Sequence, residues 1–457
     1  MKKKQQTLKI ETKSLYKTLI RVALPIALQS LIATSLNLVD NLMVGSLGEA
    51  ELAAVGLSNQ LFFVYMGVMF GLSSGSATFI SQFWGIKDLQ NIRKVLGFAV
   101  TVSLIAGMIF FVPAMFFPAR VLRVFTDIPE AVALGKEYLQ IISLCLITLA
   151  ITMPCTAALR ATQQTKIPMF ISLLVFSTNT LLNYLLIFGK FGLPAMGVKG
   201  AAIATLIARL LETGLVLYAI FNKNNVLSGK LTEFFRYHKT LAIRVLKNSL
   251  PITANEVIWS LGMVTYNAFY GRMGVTEFAA IQASNTINNL FIMVGFSMGD
   301  AVLILVGQRI GMGQMDYAFA LGKRLLRIST IIGAVTGLLL ILTSPLLAGL
   351  FNFTAEGHKY TLWILMIYGI MMWLKLYNGI SVTGTLRCGG DTKFAMILEG
   401  ACVWGIGVPL AFVGVFIFRF PIYIVVLMVQ TEEFIKGLIC RYRFYSKKWL
   451  NNLIQDI

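Results

Sequence analysis

Five apolar runs, residues 95–117, 138–158, 168–188, 328–350 and 394–418, dominate the chain. Each approaches or exceeds the roughly 20 residues that a helix needs to cross a bilayer's hydrocarbon core. No soluble fold calls for so many helices that are apolar on every side. The 57% hydrophobic content and 13% charged content agree, since soluble domains carry about 25% charged residues. Hydropathy marks out twelve spans, near 22–44, 52–84, 95–117, 138–158, 168–188, 200–220, 250–270, 278–308, 328–350, 361–384, 394–418 and 420–440. The second and eighth are long and contain Gly and Ser, so tilt, a kink or an interfacial extension is expected there.

A net charge of +19 over 457 residues raises nucleic acid as a partner. The distribution of the charge removes it. Of the 39 Lys and Arg, 29 fall in the segments on the amino-terminal side of the alternating loops and 8 in the opposite loops. Arg209 and Lys375, inside spans, complete the count, with Lys436 at the end of the last span counted with the basic tail. Basic loops stay in the cytoplasm, so both termini are expected there, in a multi-pass protein of the cell membrane. The start MKKKQQTLK precedes an apolar stretch from Leu19 to Val44, longer than a signal-peptide core and without an A-x-A site; it reads as a retained first helix. Five scattered cysteines (Cys145, Cys155, Cys388, Cys402, Cys440) form no C-x-x-C pair, and the two histidines, His238 and His358, lie far apart. Neither a disulfide framework nor a zinc site is expected, and no cofactor.

The chain repeats itself. Leu24-Pro25-Ile26 aligns with Leu250-Pro251-Ile252, and the offset of 226 extends without a gap to Gly85 and Gly311, with 16 of 62 pairs identical. GSLGEAELAAVGLSN (45–59) stands against GRMGVTEFAAIQASN (271–285), and LRATQQTKIPM (159–169) against LRCGGDTKFAM (386–396), one residue further in offset. Each half carries six spans, an even number, so the halves run in the same direction through the membrane. The expected fold is therefore an all-α polytopic membrane protein: twelve transmembrane helices in two six-helix lobes related by a pseudo-two-fold axis along the membrane normal. The expected organisation is a cytoplasmic segment 1–21, lobes 22–220 and 248–440, a basic linker 221–247 and a tail 441–457. Two such lobes provide a cavity whose rocking gives alternating access.

Ionisable groups inside spans are costly and are functional candidates by default. Asp40 leads. Asn37, three residues earlier, shares its helical face. A carboxylate held away from water can load and release a proton, or with Asn and Thr oxygens hold a desolvated Na⁺. Asn179 and Asn183 are four apart, on one face of the fifth span; interhelical hydrogen bonding is the plain alternative for them. In the second half, Glu256 and Lys375 are expected to form a buried ion pair, with Asp300, opposite Ser74 in the repeat, as a third polar group. Arg209 and Glu212, at i and i+3, read as a local pair. Glu432 and Glu433, with Lys436, read as serving the cytoplasmic end of the last helix. Arg160 and Arg387, in equivalent positions, suit lipid phosphates, a gate or a loop brace.

The block LVDNLMVGSLGEAELAAVGLSNQ (38–60), together with Gln82, Gly85, LRATQQTKIP (159–168) and LRCGGDTK (386–393), resembles the multidrug and toxic compound extrusion (MATE) family from about residue 15 to 450. The resemblance implies a V-shaped pair of six-helix lobes that exports organic, often cationic compounds against inward H⁺ or Na⁺. Under it, Asp40 matches the first-helix carboxylate and Asn179 and Asn183 a polar pair on the fifth helix. Thr205 matches a hydroxyl of the same cluster. Some members have an acid where this chain has Asn183. The family's seventh-helix glutamate usually lies one turn beyond Glu256, and the tenth-helix acid of sodium-coupled members is absent, with Lys375 in that stretch. The expected partners are a small organic substrate, H⁺ or Na⁺ and the bilayer, for a monomer. A lipid-linked oligosaccharide flippase is the alternative; it would favour an Arg-rich cavity, and only Arg209 lies in a span. An enzyme is not expected: the spans lack His, and no P-loop or metal-ligand cluster occurs.

Overall fold

The computed structural model describes residues 12–124, 129–351 and 353–455; the first eleven residues of the expected cytoplasmic segment lie outside them. Among the described residues the chain is helical, with no strand. Twelve long helices carry it. They are α1 Thr12–Gly45, α2 Glu49–Gly85, α3 Leu89–Phe116, α4 Pro129–Ala161, α5 Lys166–Phe188, α6 Gly197–Phe221, α7 Lys239–Tyr270, α8 Val275–Gly311, α9 Met315–Ala348 and α10 Ala355–Ile380, with α11 and α12 completing the set. A π-helical turn, Ser381–Leu386, extends α10. The eleventh, α11, opens as Thr392–Cys402 and runs on through π-helical Val403–Gly407, helical Val408–Phe412 and π-helical Val413–Ile417. The last, α12, is Ile422–Tyr445.

Ten of these rods are long and apolar enough to cross a membrane. The remaining two, α7 and α12, match them in length, but α7 carries Lys239, Arg244, Lys247 and Glu256, and α12 carries Glu432, Glu433 and Lys436. The protein is thus an all-α polytopic membrane protein, and its two least apolar helices are the ones with charge to place.

The contacts divide the chain into two compact units. One runs from Leu28 to Thr253; the other contains Ala254 onward together with the chain up to Ala27. The division falls inside α1 and inside α7 at the same repeat position, two residues after Pro25 and two after Pro251. In the first unit, Tyr65, Met69, Leu139, Leu146, Ala150 and Ala202 form the centre of the core. The Tyr65 hydroxyl donates to the Leu146 carbonyl at 2.5 Å, so a polar tip buried among apolar helices is satisfied. The segment between α6 and α7 is strapped to α3. Arg93 pairs with Glu233 at 2.7 Å and donates to the carbonyls of Leu227, at 3.2 Å, and Ser228. In the second unit, the end of the chain folds back: Trp449 is buried against Phe444, and Arg443 holds Asp391 through two bonds of 2.6 and 2.9 Å.

Two glycine features explain part of the repeat. Gly48 and Gly274, partners at the 226 offset, precede α2 and α8 with φ of 155° and 156°, a backbone region that side chains rarely enter. In the second unit, α9 and α10 approach so closely that a Cβ on Gly337 would lie 2.2 Å from the Gly369 carbonyl oxygen. Small residues are what allow such packing where lipid removes the hydrophobic drive between helices.

Gly337→Ala is expected to destabilise by about 1–3 kcal/mol through overpacking. Gly214→Ala, with nothing within 4 Å of the added carbon, is expected to be neutral or to stabilise by up to about 1 kcal/mol through helix propensity. Thermal unfolding in detergent compares the two.

Candidate functional site

In the first unit, the neighbouring helices α5 and α6 bring a polar relay to Asp40 of α1. Asn183, wholly buried, donates its Nδ2 to Asp40 Oδ1 at 2.5 Å and to Asn179 Oδ1 at 3.1 Å. Asn179 Nδ2 donates in turn to Thr205 Oγ1 at 3.3 Å. The i,i+4 spacing that places both asparagines on one face is what makes the relay continuous. The structure therefore joins Asp40, Asn183, Asn179 and Thr205. Asn37 stays exposed on α1 and no hydrogen bond links it to this group.

A neutral amide, Asn183, holds the Asp40 carboxylate without cancelling its charge. The nearby cation, Arg209, makes a 2.7 Å pair with Glu212, so its charge is largely spent there. Asn183 Oδ1 is buried and has no hydrogen-bond partner. The site thus offers a carboxylate, two amide oxygens and a hydroxyl, with one oxygen still lacking a donor. Hard oxygen ligands of this kind suit a small cation, and a carboxylate without a countercharge suits a proton.

The second unit differs from the sequence-based expectation. Glu256 pairs with Arg387, at 2.6 Å, and not with Lys375. Arg387 is 2% exposed and Glu256 18% on their side chains, so this is a nearly buried ion pair. The physical reason is rotation along α10: Arg387 follows the π turn Ser381–Leu386, which displaces the helix end beyond what regular spacing gives. Lys375 lies instead over the Tyr368 ring, 5.6 Å from its centroid, and makes no ion pair among the described residues. Asp300 is half-buried on α8. The repeat partner of Arg387, Arg160, donates to Gln29 Oε1 at 2.7 and 3.2 Å. Both arginines therefore brace the first helix of their half from the end of the fourth.

A second charged group was missed. Glu432, Glu433 and Lys436 do not serve a solvated helix end; all are buried, with Glu399 of α11 beside them. Lys436 Nζ lies 2.8 Å from Glu399 Oε1 and 3.7 Å from Glu433 Oε1. The available signal was Glu399 inside an apolar run, but its partner comes from another helix. Among the described residues no group of His, Cys, Asp or Glu forms a metal site.

A double-mutant cycle checks the corrected pairing. Removing one partner of a buried pair costs about 3–5 kcal/mol. Glu256→Gln is expected to lower thermal stability strongly and to be rescued in part by Arg387→Met, whereas Lys375→Met is expected to add its effect independently.

Comparison with known proteins agrees with this architecture. The MatE family model matches residues 25–185 and 251–413, one block in each half. The uncharacterized transporter YisQ of Bacillus subtilis is 27% identical over 418 residues, covering 90% of each chain. The probable multidrug resistance protein NorM of Thermotoga maritima is 25% identical over 445 residues, covering 96% of this chain and 94% of its own. Among solved structures, a multidrug resistance MATE family transporter in an outward-facing conformation superposes with a TM-score of 0.86 at 20% identity, over 94% of this chain and 96% of that one. A MOP superfamily transporter from Pyrococcus furiosus gives 0.84 at 21%, with the same coverage. These relatives are transporters rather than enzymes. With the family model covering most of both halves, the chain belongs to the MatE family, the multidrug and toxic compound extrusion transporters.

Proposed function

We propose that this protein is a secondary active exporter of organic, often cationic and hydrophobic compounds, antiporting them against H⁺ or Na⁺ by alternating access. The observation that carries the reading is the Asp40 relay. An acid in the apolar part of the chain, held by Asn183 at 2.5 Å and free of a direct countercharge, is a group that gains from binding a cation and gives it up when water arrives. The relay spans three helices, so occupancy at Asp40 changes what α5 and α6 are bonded to. A displaced Asn183 amide loses Asp40 as acceptor and leaves Asn179 and Thr205 to re-pair. Ion binding thereby becomes a change in helix packing within the unit.

The names of relatives as multidrug resistance proteins support the substrate class. The positive-inside bias supports a protein of the cell membrane with both termini in the cytoplasm. No nucleotide-binding motif is present in the sequence, so the energy comes from an ion gradient.

Purified protein in vesicles, loaded with ethidium and given either a pH or a sodium gradient, tests the reading. Wild type is expected to move ethidium in response to one of the two gradients. Asp40→Asn is expected to reduce that movement to the level of protein-free vesicles. Gradient-driven movement that survives intact in Asp40→Asn removes Asp40 from the coupling role.

A further inference from the structure

The repeat relates the Asp40 relay to the buried charges of the second unit. At the 226 offset of the first block, Asp40 falls on Tyr266 of α7. Thr205 and Glu432 stand eight and ten residues into the last helix of each half, α6 and α12, each with a cation four residues on, Arg209 and Lys436. The chemistry is therefore exchanged between positions. In the first unit the acid stands on the first helix and the hydroxyl on the last; in the second the hydroxyl stands on the first helix and the acid on the last. The exchanged pair is in contact: the Tyr266 hydroxyl donates to Glu432 Oε2 at 2.9 Å.

Glu432 is 5% exposed and about ten residues from the start of α12, roughly 15 Å along the helix. It makes no ion pair within 4 Å among the described residues. The cation one turn further, Lys436, is engaged by Glu399 and Glu433, as Arg209 is engaged by Glu212. The backbone is shaped around the acid. The eleventh helix, α11, carries no asparagine, and its π turn Val403–Gly407 lies beside the acid. A Cβ on Gly407 would stand 1.9 Å from the Tyr266 hydroxyl and 2.2 Å from Glu432 Oε2, so the acid sits where only glycine leaves room. The neighbouring acid Glu433 is held separately. Asn378 of α10, 1% exposed, gives its Nδ2 to Glu433 Oε2 and to the Glu433 carbonyl, both at 2.7 Å. Its Oδ1 is buried and has no donor. Other groups in electrostatic reach are Tyr270 on α7, Lys375 on α10, and Glu399 and Cys402 on α11.

We propose that Glu432, with Tyr266, is a second proton-binding site of the transport cycle, the inverted counterpart of the Asp40 site. The inference rests on the reading of the chain as an ion-driven exporter. A proton delivered by water bonds to a Glu432 carboxylate oxygen and cancels its charge; the Tyr266 hydroxyl then loses an anionic acceptor and turns toward the Val403 carbonyl, now 3.5 Å away. Release to water reverses each change. A metal cation is not the ligand here, because the site supplies too few oxygens and places the Lys436 ammonium one turn away. Glu256 does not fill this role, since Arg387 already neutralises it.

Two measurements on the full chain test this. Infrared difference spectra between about pH 5 and pH 9 follow the carbonyl band of protonated carboxyl groups and need no transport. Glu432→Gln, which keeps an acceptor for Tyr266, is expected to lose one titrating band, and Asp40→Asn a different one. In vesicles with the membrane potential clamped at zero, the ethidium ratio sustained by a one-unit pH gradient is expected to fall from about 100-fold to about 10-fold in Glu432→Gln, as two coupled protons become one. An unchanged titrating band in Glu432→Gln overturns the proposal. So does an unchanged ethidium ratio. If wild type responds to no gradient, the exporter reading fails and the infrared bands alone decide on Glu432. Should Glu432→Gln not fold, Tyr266→Phe is expected to shift the midpoint of the same band, and an unshifted midpoint overturns the assignment.

Discussion

The cost of placing charge where water is absent organises this structure. An isolated ion in a low-dielectric interior is so unfavourable that each must be paired, hydrogen-bonded or neutralised. Pairing stabilises Arg387 with Glu256, Arg209 with Glu212, and Lys436 with Glu399 and Glu433. Asp40 and Glu432 are different. Each is held by neutral donors, amide in one case and phenol in the other. Carboxylates held without direct countercharge are the ones to which the proposed cycle assigns a cation.

The two halves share a scaffold and divide the chemistry. Gly48 and Gly274 adopt the same unusual backbone, and Arg160 and Arg387 brace equivalent helices. Yet Arg160 meets a neutral glutamine and Arg387 a glutamate. A repeat constrains backbone path strongly, because a glycine conformation or a helix crossing tolerates few substitutes. It constrains side-chain charge weakly, because a hydrogen bond can be made from either side of a contact. That freedom allows the acid to stand on α1 in one unit and on α12 in the other.

Much of the Asp40 site was legible in advance. An acid inside an apolar span is conspicuous, and two asparagines four apart must share a helical face. Thr205 came only from family resemblance, since a hydroxyl in an Ala-rich helix has no periodic signature. Asn37 shared the right spacing, but α1 leaves it exposed, and one helix cannot reveal which of its faces is covered. The Glu256 pairing failed for a related reason. Lys375 and Glu256 both lie in apolar spans, yet depth along a helix says nothing of azimuth, and the π turn after α10 delivers Arg387 instead. Glu432 and Glu433 read as serving the cytoplasmic end of the last helix because Lys436 follows at i+4 and i+3, which is the spacing of an ordinary surface pair.

The chain alone determined that it is a polytopic helical membrane protein, because the hydrophobic length of each span is a property of local composition. It also determined the two-fold repeat, which is written in aligned residues. The neighbours of each buried charge were decided only by tertiary structure. Ion pairing and hydrogen bonding depend on angstrom distances between side chains of different helices, set by helix rotation, glycine contacts and π turns that no local pattern encodes.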